Sequence, residues 1–418
     1  MSTSRNSTIG IKSKLRNANK KIKINLNNIL IALPRDLIRY QIFPFLSLND
    51  LSRLDVAMTN HRTRIVLLDS FQGLRLEQKV LISSNSTAKF CISRNFRLSD
   101  IVIMSEKPRD ICRTLFKANT SVLQLTLGKA SFRTDILYLI AKHLYQIKVI
   151  KKVSDELFFS IKDEAIHALS LHCSKLTELD LSRSNITDSA ILALSKGCRG
   201  LMRLNISWCG RLSDASVIAI SLSCQDLIDL NIAEIYDLTD ESIYKLSDNN
   251  RKLESLDISG CIFSEEAMIC LFKKCNRLTD VNISFIDGIG DSAISELSLR
   301  CPELFRLICI HNEQLSNISL INLSKNCANL THLNLHQSCD NFTHDGVIAL
   351  SQGCSRLTYL DITGYSCLNR DLLFEELCNK FGRLSTFLHD TIESTDDFDD
   401  GSSEGYMCSV CGDFHSYN

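Results

Sequence analysis

One ten-residue phrase recurs through the second half of the chain, and that recurrence limits the fold more than any other feature. CSKLTELDLS, CRGLMRLNIS, CQDLIDLNIA, CNRLTDVNIS, CPELFRLICI, CANLTHLNLH and CSRLTYLDIT begin at Cys173, Cys198, Cys224, Cys275, Cys301, Cys327 and Cys354, and NRKLESLDIS from Asn250 fits the same frame. The period is 25 to 27 residues. A unit this short cannot bury an apolar face alone, whereas stacked neighbours build one continuous core, so the spacing predicts a solenoid.

Each unit divides into two physical halves. Apolar residues at offsets 3, 6 and 8 from the leading residue, such as Leu201, Leu204 and Ile206, end in a two-residue alternation, which predicts a short strand with one buried face. A Thr/Ser-Asp pair follows, as in Thr187-Asp188, Ser213-Asp214 and Thr239-Asp240. Such residues cap a helix by accepting its free amide hydrogens. In the stretch SAILALSKGC, Ala190, Leu194 and Cys198 share one helical stripe, so the cysteine closes one helix and opens the next turn. Parallel strands about 4.8 Å apart on one side and wider helices on the other force the stack to curve.

The units resemble the cysteine-containing class of leucine-rich repeats, clearly over residues 173–381. That resemblance implies an α/β solenoid with a curved parallel sheet inside and helices outside. Degenerate units extend it upstream: Asn95 with Leu98, Ile101 and Ile103; Asn119 with Val122, Leu125 and Leu127; and a bridge at Ile147, Ile150 and Val153. Downstream, Gly382-Arg383-Leu384 opens a last unit expected to stop before completing its strand, for eleven or twelve units in all within a repeat domain over 76–390.

Residues 31–68, IALPRDLIRYQIFPFLSLNDLSRLDVAMTNHRTRIVLL, follow a different, multi-helix pattern. They resemble an F-box: Leu33, Pro34, Leu37, Ile42, Leu46, Leu51 and Leu54 fall where that family places its Leu-Pro, aliphatic and Asp-Leu positions. The stretch departs from the family after Val56, where AMTNHR carries no tryptophan. The resemblance implies a small all-α domain over 31–75 that docks a Skp-type adaptor of a cullin complex. The other reading is a helical cap over the first repeat's apolar edge.

Charge excludes some partners. Lys+Arg 47 against Asp+Glu 48 leaves no global field for nucleic acid, and no run of about 18 apolar residues is available to span a bilayer. Residues 1–30 hold seven basic residues and no acidic one. They read as a disordered arm, with an import patch or transit peptide as alternatives. Eighteen cysteines without a hydrophobic leader point to a reducing cytoplasmic or nuclear compartment and to free thiols used as small core residues.

No catalytic constellation emerges, and the chain is not expected to be an enzyme or to carry a cofactor. There is no phosphate-binding glycine loop, GxSxG elbow or HExxH helix. The strand-end cysteines Cys209, Cys261, Cys339 and Cys367 occupy a position that leucine-rich repeats fill with asparagine or cysteine. The acidic, disordered tail over 391–418 ends in Cys408, Cys411 and His415, one ligand short of a structural zinc site. His311 and His336 sit on neighbouring strand ends, whereas His332 and His336 stand about 13 Å apart at strand rise, too far to share a metal.

Recognition is expected where side chains vary on the uniform scaffold. Offset 7 is nearly constant (Asp180, Asn205, Asn231, Asp257, Asn282, Asn334, Asp361), which suits repeated backbone hydrogen bonding or solvation and carries little specificity. Offsets 5 and 10 vary, and Arg183, Arg203, Trp208, Glu234, Phe285, Arg306, His311, His336 and Tyr359 are the candidate partner-binding residues. Trp208, the chain's only tryptophan, and Phe285 either face a partner or fold back over the rim. The combined expectation is the substrate-binding subunit of a ubiquitin ligase, holding a protein on the concave face. The alternative is a repeat scaffold with a helical cap and no link to ubiquitin.

Overall fold

The computed structural model describes residues 75–363, apart from several short stretches of which 154–160 is the longest, together with 386–388. The basic arm, the seven F-box-like positions, Cys339, Cys367 and the tail with its CxxC lie outside the described residues.

Strands and helices alternate one for one from Asp100 to Asp361. The strands are β1 (Arg75–Leu76), β2 (Val80–Ile82), β3 (Arg97–Leu98), β4 (Asp100–Ile103), β5 (Gln124–Leu127), β6 (Val149–Lys152), β7 (Glu178–Asp180) and β8 (Arg203–Asn205). They continue as β9 (Asp229–Asn231), β10 (Ser255–Asp257), β11 (Asp280–Asn282), β12 (Arg306–Ile308), β13 (His332–Asn334), β14 (Tyr359–Asp361) and β15 (Thr386–Leu388). Helices α1 (Asn85–Ser93), α2 (Pro108–Ala118), α3 (Thr134–His143), α4 (Asp163–His172), α5 (Asp188–Gly197) and α6 (Asp214–Ser223) lie between them. The series closes with α7 (Asp240–Asn249), α8 (Glu265–Lys274), α9 (Asp291–Arg300), α10 (Asn317–Asn326) and α11 (His344–Gly353). Thirteen strands form one sheet in the order β2, β4, β5 and so on to β15, and every adjacent pair is parallel. This is the α/β leucine-rich-repeat solenoid that the period demands.

Register keeps like beside like. Leu179, Leu204, Leu230, Leu256, Val281, Leu307, Leu333 and Leu360 pair in one unbroken row, and all are buried. A one-residue slip at any strand would turn its leucine to solvent and break two junctions, so the pattern specifies the stacking.

The cysteines form a second row. Each caps a helix through its backbone N–H, as Cys198 does to Leu194 O at 2.8 Å. Its thiol donates to the carbonyl of the preceding unit's leading residue: Cys198 to Cys173 at 3.4 Å, Cys301 to Cys275 at 3.5 Å and Cys354 to Cys327 at 3.5 Å. Asn250 makes the same link to Cys224 O at 2.9 Å. A third row at offset 11 donates to the preceding strand end, Cys209 to Leu181 O and Cys261 to Ile232 O, both at 3.3 Å. Asn312 and Ser338 take this role in their units, so Ser338 fills the place expected of Cys339. All thirteen described cysteines are free and twelve are buried.

Three expectations need correction. Val153 is 46% exposed, and Lys152 occupies the apolar offset instead; its stem is buried while Nζ reaches Ser182 O at 3.5 Å. The last unit does complete a strand, since β15 pairs with β14 from Tyr359↔Thr386 to Asp361↔Leu388; backbone pairing to an existing edge requires no apolar alternation. The Thr/Ser-Asp pairs do more than cap. Ser213 and Thr239 accept from the N2 amide, but Thr187 caps nothing with its side chain. Instead its hydroxyl and N–H donate to Asp163 of the preceding unit. Asp188 likewise accepts from Ser213 N, Ser213 Oγ and Ser216 Oγ at 2.9, 2.7 and 2.5 Å. The aspartates rivet one helix to the next.

Candidate partner-binding face

The helix-free face of the sheet presents two in-register rows. The first holds Glu178, Arg203, Asp229, Ser255, Asp280, Arg306, His332 and Tyr359. Parallel pairing sets these side chains one strand spacing apart, close enough to interact in sequence. Lys151 pairs with Glu178 at 2.5 Å, Arg306 with Asp280 at 3.3 Å, and the His332 ring stacks on Tyr359 with centroids 4.0 Å apart and planes 10° off parallel. Burial pushes the Asp229 and Asp280 carboxyls above their ordinary range, against the pull of Ser255 and Arg203 on the first and Arg306 on the second. The middle of the row therefore holds negative charge at a cost.

The second row is the constant one. Asp180, Asn205, Asn231, Asp257, Asn282, Asn334 and Asp361 each accept from the backbone N–H two residues on, at 2.9–3.2 Å. Those bonds turn the chain out of the strand, as short Asx side chains do.

That turn creates a third row, beyond the strands. Arg183, Trp208, Glu234, Gly260, Phe285, His311 and Gln337 all have positive φ, from +49° to +69°. Their N–H groups still donate to the next unit, for example Arg183 to Ser207 O at 2.7 Å and Trp208 to Ala233 O at 2.9 Å. Left-handed backbone is costly for residues with a Cβ, yet six of the seven carry one. The inter-unit ladder maintains the conformation and throws the side chains out as a ridge. Trp208 is 46% and Phe285 50% exposed, so neither seals the core.

Along the ridge the side chains meet. The Arg183 guanidinium lies 4.6 Å from the Trp208 ring centroid. Phe285 and His311 are 4.9 Å apart, and His311 meets His336 edge to face at 6.1 Å. The His336 ring also pairs with the Thr363 hydroxyl. Between Glu234 and Phe285 the ridge is interrupted at Gly260, leaving a cleft of about 340 Å³ lined by Glu234, Tyr236, Gly260, Cys261, Ile262, Phe285 and Asp287. Of the candidates, Arg203, Arg306 and Tyr359 lie on the strand row, and Arg183, Trp208, Glu234, Phe285 and His311 on the ridge. His336 sits one residue before it. Tyr236, Ile262, Asp287 and Gly260 were not foreseen; the variability at offset 12 was the signal for the first three.

Among the described residues no group of three or more His, Cys, Asp or Glu side chains could hold a metal, and no helix is long and apolar enough to cross a membrane. A family model described as leucine rich repeat matches residues 172–195, the span running from the end of α4 through β7 into α5. Among solved structures the chain is similar to one from the yeast Rad7 and Elc1 complex, at 18% identity, covering 89% of this chain and 95% of that one with a TM-score of 0.49. It is also similar to an internalin from Listeria monocytogenes, at 18% identity, covering 73% and 78% with a TM-score of 0.46. The matched repeat recurs here with the same strand, cysteine and aspartate geometry, and the chain is built as a leucine-rich-repeat solenoid.

Proposed function

We propose that the chain is a protein-recognition receptor that binds its partner across the strand face and the ridge. The observation that carries this is the ridge itself: a uniform backbone holds six costly left-handed residues whose side chains differ from unit to unit. A core has no use for that variety, and exposed aromatic and arginine anchors are what protein interfaces use. The receptor does no bond chemistry of its own.

The resemblance of residues 31–68 to an F-box extends this reading to a substrate receptor of a cullin-type ubiquitin ligase. Leu33, Pro34, Leu37, Ile42, Leu46, Leu51 and Leu54 would dock a Skp-type adaptor. Tethering would then raise the effective concentration of substrate lysines near the charged conjugating enzyme. Twelve buried free thiols suit the cytoplasm or nucleus.

The test is co-purification of a Skp-type adaptor and cullin with the full chain and with a Leu37→Glu, Ile42→Glu, Leu46→Glu variant. Recovery by the first and loss by the second supports the ligase reading. Recovery by neither leaves a repeat scaffold with a helical cap.

A further inference from the structure

We propose that the notch at Gly260 receives a cationic side chain, arginine or lysine, from the protein partner. This rests on the protein-recognition reading and names the chemistry of one contact.

From Arg183 to Gln337, seven consecutive units place a residue at the left-handed ridge position, and only the fourth lacks a side chain. The bare position is occupied from the side. A Cβ on Gly260 would stand 2.6 Å from Cδ and Oε1 of Glu234 and 2.9 Å from Oε2. The glycine is therefore what lets the Glu234 carboxylate lie across the floor of the notch. Tyr236 donates to Oε2 at 2.5 Å and fixes the carboxylate there.

The walls are apolar and open. Phe285 is 50%, Tyr236 58% and Ile262 71% exposed. Asp287 supplies a second carboxylate, and no cation is among the seven lining residues. Asp229 and Asp280 stand on the strands that lead to the notch, with Asp257 between them in the neighbouring row; the flanking cations, Arg203 and Arg306, lie one strand further out on either side. A guanidinium or ammonium would pair with carboxylate and lie against an aromatic face, two attractions that reinforce each other. An aliphatic side chain would strip water from Glu234 and return nothing.

The test uses the full chain and fluorescein-labelled degenerate nonapeptide pools with the central residue fixed as Arg, Lys, Leu or Glu, read by fluorescence polarisation at low salt. The Arg or Lys pool should bind at least about tenfold tighter than the Leu and Glu pools, the size of one charge-assisted hydrogen bond. Glu234→Gln, which keeps the shape, and Gly260→Ala, which fills the notch, should each bring the pools to within about twofold, and thermal melts establish that both variants fold. The neighbouring units tolerate side chains at this same φ, so Gly260→Ala has a precedent in the molecule itself.

A cation preference that survives both variants overturns the proposal, as does equal binding of all pools or no binding of any. Equal binding would leave the face as a docking surface without this contact. Adaptor recovery reads the ligase assignment separately, so either can fail without the other.

Discussion

The guanidinium of Arg183 lies 4.6 Å from the centroid of the Trp208 ring, one repeat away. Both residues are left-handed, at φ +59° and +60°, and each is held so by an N–H bond to the following unit. The contact is thus a product of stacking: the solenoid spacing brings position 10 of one unit beside position 10 of the next. A double-mutant cycle with Arg183→Ala and Trp208→Ala should give a coupling of about 0.5–1 kcal/mol in urea unfolding, the range for an exposed cation–π pair. A coupling of zero would mean the two merely share an edge.

Trp208→Gly should be more stable than Trp208→Ala by about 1 kcal/mol, because only glycine occupies the left-handed region at no steric cost. At an ordinary exposed position glycine would be neutral or worse. The reverse order would show that the turn relaxes when the indole is gone.

At the leading position, the row of donors contains one misfit. Asn250 links to Cys224 O, but its Oδ1 is buried with no hydrogen-bond partner. Asn250→Cys should therefore stabilise the chain by about 1 kcal/mol, since a thiol there leaves no buried acceptor unmet. Cys198→Ala should destabilise it by about 1–2 kcal/mol through lost packing. Burial pushes the Cys173 and Cys198 thiols up to about 12, so at pH 8 neither carries a reactive thiolate. Peptide mapping after alkylation of the folded chain should find both unmodified and, among the described cysteines, half-buried Cys270 labelled first. Early labelling of Cys198 would sink the packing role.

Asp188 links α5 to α6 through three accepted hydrogen bonds. Burial alone would push its carboxyl up, but the bonds from Ser216 and Ser213 outweigh that and hold it below the ordinary value. A carboxyl whose folded pKa is depressed adds stability above its unfolded value and loses it as pH falls through the folded one. Asp188→Ala should cost about 2–3 kcal/mol at pH 7. The gap between the native chain and Asp188→Asn should narrow as the pH drops below about 3.8, the ordinary carboxyl value. A gap constant down to pH 2 would mean the charge is irrelevant.

The parts of the molecule legible in the sequence are those written in apolar identity. Leu204 and Leu230, or Cys198 and Cys224, recur at a fixed spacing because each must fill the same place in the next layer. The ridge was legible as variation but not as geometry. Nothing in Arg183, Trp208 or Glu234 announces a left-handed backbone; the Asx bonds before them and the ladder to the next unit impose it. Lys152 escaped notice because a lysine stem can replace an aliphatic residue while its amine reaches a carbonyl. The inter-unit grip of Asp163 on Thr187 escaped because the same two residue types also spell an ordinary cap. The Gly260 notch needed all seven units in three dimensions, since an absence is visible only against its neighbours.

His332 and Tyr359 give the strand face a pH dependence. Their rings stack at 4.0 Å, and desolvation, with Arg306 adding to it against the pull of Asp361, lowers the His332 pKa below 6.5. Between the folded and unfolded values the unfolded chain binds more protons, so this residue's contribution to stability is complete above about pH 6.5 and declines as the pH falls through that window. Two-dimensional NMR should show the His332 ring titrating below the ordinary histidine value. Tyr359→Ala, which removes the stacked ring and admits water, should move it back up. If His332 instead titrates at or above 6.5 with Tyr359 in place, the ring stack does not shield it, and any partner that binds here meets a charged imidazolium near neutral pH rather than a neutral aromatic pair.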